Sequence, residues 1–166
     1  GFRRVLFLSN KAVSVAEIQR PIKLSCGNLW KVFGARGAEF LRARGGKASA
    51  SELDAASLIG AVRGVALDVR EGEIFIVMGL SGSGKSTLLN LIGGLDRPTK
   101  GTIEVDGKRI DSMPESDLAR WRANTIGFVF QAFNLIPVLT AVENVELPLL
   151  LTKVSGAERR KRAETA

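Results

Sequence analysis

Polar and apolar positions alternate in three stretches of this chain. Ile22 to Trp30 alternates loosely, Val65 to Val69 does so again, and Gly101-Thr-Ile-Glu-Val-Asp-Gly107 alternates and closes on a turn. A period of two predicts strands. Ile74-Phe-Ile-Val-Met78 is different, an unbroken apolar run after the turn signal Glu71-Gly72. Such a run is expected of a strand buried on both faces of a parallel sheet. Thr125 to Phe130 reads as one more apolar strand.

Helical spacing appears first at Leu88, Leu89, Leu91, Ile92 and Leu95, predicting a helix from Lys85 to Leu95 that stops at Asp96-Arg97-Pro98. Three Ser/Thr-x-x-Glu boxes announce further helices. Ser112–Glu115 opens one through about Ala123, Thr140–Glu143 one through about Leu151, and Ser155–Glu158 one to the chain end. Gly34 to Ser51, rich in Gly, Ala, Arg and Lys, reads as a surface insertion or linker. There is no internal repeat, and the strand-loop-helix-strand order points to an α/β architecture.

Composition narrows the chemistry. The 166 residues contain no His and one Cys, which excludes imidazole catalysis, an internal disulfide framework and Cys/His metal clusters. The net charge of +7 is uneven: residues 1–60 carry ten basic and four acidic side chains, residues 61–166 fourteen and thirteen. No aromatic residues interleave the basic ones as single-strand binding needs, so the basic third reads as solvated and nucleic acid is not an expected partner. The longest uncharged stretch, Ala123 to Val142, is broken by Asn124, Gly127, Gln131, Asn134 and Pro137 and reads as strand and loop rather than a membrane span. Arg3-Arg4 precede too short an apolar core for a signal peptide. The start at Gly1 and the end in a charged, helix-like run suggest a fragment.

Gly79-Leu-Ser-Gly-Ser-Gly-Lys85-Ser86 fits G-x-x-x-x-G-K-[ST] at every specified position. Glycines let backbone N–H groups turn inward as an anion nest, and the following helix presents its positive end to the same phosphates. Lys85 supplies a charge for the β- and γ-phosphates, and Ser86 a hydroxyl for Mg²⁺. The apolar run before the motif and the amphipathic helix after it are the context a nucleotide-binding loop requires.

Around that loop the chain resembles the ATP-binding subunits of ABC transporters. The resemblance rests on Gly79-Leu-Ser-Gly-Ser-Gly-Lys-Ser-Thr87, on Pro98-Thr-Lys-Gly-Thr-Ile-Glu-Val-Asp-Gly107 and on Ile126-Gly-Phe-Val-Phe-Gln131, and covers roughly residues 61–150. The N-terminal half is similar to glycine betaine and proline importers. From about Asn90 onward the chain is similar to lipoprotein-release and macrolide-export ATPases.

The resemblance implies a P-loop NTPase fold, a RecA-like core with an antiparallel β-subdomain, incomplete at the C-terminus. It implies three parts: residues 1–60 with an adenine-stacking aromatic and a basic insertion, 61–136 with the nucleotide-binding core, and 137–166 opening the helical subdomain. ATP and Mg²⁺ would be held by Gly79, Ser81, Gly82, Ser83, Gly84, Lys85, Ser86 and Thr87, the last at the α-phosphate. Gln131 would reach the metal and the attacking water. Trp30 would stack on adenine, with Phe33 as the runner-up. Structural roles compete for three of these: a strand-end glutamine for Gln131, a first-turn helix residue for Thr87, and a core aromatic for Trp30.

The implied partners are a membrane permease and a second ATP-binding subunit, head to tail, on the cytoplasmic face of the membrane. The family's acidic strand end, Leu-Ser-Gly-Gly-Gln signature and switch histidine do not occur in these residues, so the expectation is ATP binding without useful hydrolysis. The rival expectations are a soluble ATPase of the same type acting on nucleic acid or ribosomes, and a non-catalytic nucleotide-binding remnant. A P-loop kinase ranks below both.

Overall fold

The computed structural model describes residues 7–8, 20–130, 132, 134–152 and 154–166. They form two units, residues 1–126 and 127–166. The first unit is organised by a long antiparallel ribbon, β2 (Ile22–Phe33) against β3 (Ile59–Arg70). β5 (Lys100–Val105) adds to the other edge of β2, and β6 (Lys108–Arg109) to β5, giving the order β3-β2-β5-β6. The connection of β5 to β6 is Asp106-Gly107, both at positive φ, the dipeptide that suits a two-residue hairpin. Two short strands, β1 (Phe7–Leu8) and β4 (Val77–Met78), pair antiparallel apart from this sheet.

Each alternating stretch of sequence therefore lies in a ladder, and the ladders run further than the alternation does. Cys26, Leu29, Val62, Leu67, Ile103 and Val105 turn one face inward, where Leu88 and Leu91 of α3 (Lys85–Ile92) and Leu118 of α4 (Glu115–Thr125) complete the core. An irregularity between Cys26 and Leu29, with Asn28 at positive φ, reverses the phase of β2. Trp30 and Val32 consequently face a second cluster.

That second cluster corrects the reading of Gly34–Ser51 as a surface linker. Leu41 of α1 (Gly37–Ala43) and Leu53 of α2 (Ala50–Ala55) are buried with Trp30, Val32 and Leu58. Gly45 and Gly46 end α1 at positive φ, and α2 opens on a reciprocal capping box: the Ser49 N–H donates to Glu52 Oε2 at 2.7 Å, and the Glu52 N–H to Ser49 Oγ at 3.3 Å. The Gly/Ala richness concealed two helices whose single leucines lock onto β2 and β3. The expected boundary at 60/61 falls inside β3, because that strand pairs with β2 across it.

The apolar run Ile74–Met78 also differs from expectation. Only Val77-Met78 is in a ladder, antiparallel to Phe7-Leu8, and Ile74 is 88% exposed. An apolar run is buried throughout only where layers cover both its faces; here Phe75 and Val77 pack against the core, and among the described residues nothing covers the side of Ile74, Ile76 and Met78. Thr125 completes α4 instead of opening a strand; 126–130 join no ladder, and Val129 is fully exposed. The Ser112 box does not form. Pro114 fixes the start of α4, and the Glu115 carboxylate accepts from Arg97 Nη2 at 3.2 Å instead of turning back to Ser112.

In the second unit α5 (Ala141–Glu146) starts on the expected Thr140 box. It ends sooner than expected, because Pro148 follows in a 3₁₀ turn (Leu147–Leu151). Ser155 caps α6 (Gly156–Thr165), accepting from the Glu158 N–H. Among the described residues no helix is long and apolar enough to cross a membrane.

Candidate nucleotide site

The phosphate loop occupies the turn between β4 and α3. Gly82 and Gly84 take φ of +71° and +96°, a backbone that L side chains rarely adopt. A Cβ added at Gly84 would lie 2.1 Å from the carbonyl oxygen of Ala61, so only glycine lets the loop lie so close to β3. Gly84 is also the N-cap of α3 and has no side-chain cap. The first N–H groups of that helix therefore have no acceptor from its cap side chain, the arrangement in which a helix end can bind an anion.

Charge in the loop comes from one residue. Lys85 Nζ donates to the carbonyl oxygens of Gly79 and Leu80, both at 2.8 Å, so the ammonium is folded over the concave side of its own loop. Phosphate oxygens would be stronger acceptors for it than neutral carbonyls. Ser83 is buried and its hydroxyl has no hydrogen-bond partner among the described residues. A buried hydroxyl in that state is one of the few polar atoms here without a structural occupation. Gly79, Ser81, Gly82 and Ser86 are exposed, while Gly84, Lys85 and Thr87 are half-buried. The structure therefore brings the loop residues and the first turn of α3 together. Gln131 lies outside the described residues.

Trp30 does not fit the adenine-stacking role expected of it. It is 6% exposed, packs in the cluster with Val32, Leu41, Leu53 and Leu58, and donates its indole N–H to Asn28 Oδ1 at 3.0 Å. Its faces are used by the core. Phe33, the runner-up, ends β2 with 42% of its surface exposed and pairs in register with Ile59. Ala61, whose carbonyl backs Gly84, is two residues further along the same strand. Phe33 and the phosphate loop thus flank one short stretch of β3.

Sequence reasoning missed what fastens these parts. Asp96-Arg97-Pro98, read as a helix stop, and Thr99, read as part of the turn that follows, form a junction. Lys31 Nζ donates to Asp96 Oδ1 at 2.6 Å and to the Arg97 carbonyl at 2.8 Å. The Arg97 guanidinium donates to the carbonyls of Asp111 and Met113, and the Val32 N–H donates to Thr99 Oγ1 at 2.9 Å. Nearby, burial works against ionisation of Asp111, but the Arg109 fork and the Ile103 N–H outweigh it and hold that carboxyl below its usual range. The signal was a polar run with a Pro, placed between a helix and a strand.

Residues 62–166 match the family model described as ABC transporter. The chain is 51% identical over 102 residues to the macrolide export ATP-binding/permease protein MacB of Brucella abortus, covering 61% of this chain and 16% of that protein. It is 43% identical over 140 residues to the trimethylamine N-oxide transport system ATP-binding protein TmoW of Ruegeria pomeroyi, covering 84% of this chain and 41% of TmoW. A solved dimeric structure of the ATP-binding cassette MJ0796 in a post-hydrolysis state, bound to ADP and Pi, superposes with a TM-score of 0.65 at 38% identity. That alignment covers 86% of this chain and 54% of the cassette. The chain spans less than half the length of the curated relatives it matches first. With the phosphate loop folded at the head of α3 and this likeness running through it, the chain belongs to the ABC transporter family, in its ATP-binding domain.

Proposed function

We propose that this chain supplies the phosphate-loop portion of an ABC transporter ATP-binding subunit, which binds Mg-ATP to power a separate membrane permease from the cytoplasmic face. The observation that carries the reading is the loop itself: Gly84 against the Ala61 carbonyl, Lys85 folded over the loop and an uncapped α3 behind it. The β- and γ-phosphates displace the Gly79 and Leu80 carbonyls from Lys85. Backbone N–H groups of Gly82 to Ser86 hold the remaining oxygens, and Thr87 meets the α-phosphate.

Mg²⁺, a hard cation that keeps most of its waters, fits a site offering one exposed hydroxyl, Ser86; by the resemblance, Gln131 would be the second donor. Phe33 replaces Trp30 as the adenine platform, because its ring is open where the indole is enclosed. The dimeric cassette structure supports a second subunit, which would join head to tail. The names of MacB and TmoW support a transport role, that of MacB pairing ATP binding with a permease, and no nucleic-acid partner is expected. These residues lack an acidic strand end and a histidine, so the chain binds ATP and does not hydrolyse it at a useful rate.

Titration of the chain with Mg-ATP, followed calorimetrically, tests the reading. Lys85→Ala is expected to weaken binding by about tenfold or more, since a charge-assisted contact to the phosphates is lost. Saturable binding that Lys85→Ala leaves unchanged would overturn it, and so would steady phosphate release abolished by that variant overturn the non-hydrolytic part.

A further inference from the structure

Lys31 is spent on no other function, yet it is placed with unusual care. It lies two residues before Phe33 on β2, and its side chain is only 14% exposed. Two acceptors fix the ammonium, Asp96 Oδ1 and the Arg97 carbonyl. Asp96 is itself fixed, since Oδ1 also accepts the Arg97 N–H at 2.7 Å and its own N–H bonds the Asn90 carbonyl of α3. Held in this way, Nζ lies 5.0 Å from the centroid of the Phe33 ring.

We propose that Lys31 is a positioning residue for the nucleotide base: anchored to the loop that leaves α3, its ammonium covers one face of the Phe33 ring and leaves the other for adenine. This rests on the reading of Phe33 as the platform. Two consequences follow from the geometry. A cation on one face draws π density from the ring, so the opposite face becomes a better partner for an electron-rich purine. The anchor also ties the platform to the C-terminal end of the helix whose N-terminal end meets the phosphates. Base and phosphate subsites are thereby held in one frame, and the chain gains selectivity for a purine nucleotide over a bare polyphosphate.

The test compares Mg-ATP with inorganic tripolyphosphate on the 166-residue chain. Lys31→Met is expected to weaken ATP about fivefold, the size of a partly desolvated cation–π contact, and to leave tripolyphosphate unchanged. Lys31→Arg, which keeps the cation, restores most of the loss. In a Phe33→Ala background Lys31→Met has no further effect. Should Lys31→Met leave the Asp96 carboxylate unpaired and unfold the chain, Lys31→Met with Asp96→Asn removes both charges and is read in the same way. Equal losses for ATP and tripolyphosphate, or an undiminished effect in the Phe33→Ala background, overturn the proposal. If Phe33→Ala weakens ATP and Lys31→Met does not, the role of Lys31 alone falls. If Phe33→Ala binds ATP like the unmodified chain, the platform falls and takes Lys31 with it.

Discussion

The β2–β3 ribbon and the Ile74–Met78 run are built from the same kinds of residues, yet the ribbon is covered along its face and the run only at Phe75 and Val77. Leu29 and Val62 of the ribbon are buried, whereas Ile74, Ile76 and Met78 are each more than half exposed. The run is the more apolar of the two and has only a two-residue ladder. The ribbon alternates only loosely, yet β5 covers its edge, and α3 and α4 cover its face. An apolar stretch states a demand for neighbours. Burial follows from whether neighbours come, and pattern alone does not report that.

A first pair of substitutions sets the two regions directly against each other. Ile103 is 1% exposed, and Ile103→Ala removes three carbons from a filled core, costing about 3 kcal/mol. Ile74→Ala removes the same carbons from a side chain already in water, so its cost is expected to stay below about 0.5 kcal/mol. Urea midpoints of the two variants measure the difference. Equal losses would mean that Ile74 is covered in solution and that the contrast is not real.

Much of this was readable beforehand. The phosphate loop, the strands at Ile22, Val65 and Gly101, and the caps at Thr140 and Ser155 depend on local chemistry, and local chemistry is written in the residues themselves. What failed was tertiary. Trp30 had the platform role only through the resemblance, with a core aromatic as the competing reading. The phase reversal after Asn28 points it into the core instead and leaves Phe33 outside. The hairpin at 37–55 was hidden for a different reason: its Ser49-x-x-Glu52 box was present, but Gly and Ala around it weakened the pattern. Asp96 and Arg97 were legible as a helix stop and illegible as an anchor, since their partners Lys31 and Met113 lie in distant segments.

A second experiment sharpens the same comparison through pH. Burial within the ribbon pushes the Cys26 thiol up to about 12, from an ordinary value of 9. Between those values the unfolded chain has released the proton and the folded chain retains it, so stability falls as pH rises through that window, by roughly 1.4 kcal/mol per unit. Below pH 9 both states are protonated and the contribution is flat. Cys26→Ala removes this slope, while other basic groups titrate alike in both chains. The difference in unfolding free energy between the two, measured by urea denaturation from pH 8.5 to 10, is expected to change by about 1 kcal/mol. No change would place the thiol in water and the ribbon face with it.

The smallest effect belongs to the second unit, residues 127–166, whose only buried hydrophobic residue among those described is Ala163. With so little core, its order rests on short-range polar bonds. Thr140 accepts the Glu143 N–H at 3.3 Å while Glu143 Oε2 accepts the Thr140 N–H at 2.7 Å. Asn144 then accepts the Ile136 N–H at 2.7 Å, tying the approach to α5 down. Thr140→Ala removes one half of the box and is expected to cost about 1 kcal/mol. That loss should stay local, appearing as faster amide exchange across residues 141–146 with the urea midpoint of the first unit unmoved. Ser155→Ala, which breaks a single cap bond without a reciprocal partner, should cost less. A Thr140→Ala variant that lowers the midpoint as far as Ile103→Ala does would show that the two units share one cooperative transition. The division between a packed region and a capped one would then be a division of geometry without a thermodynamic counterpart.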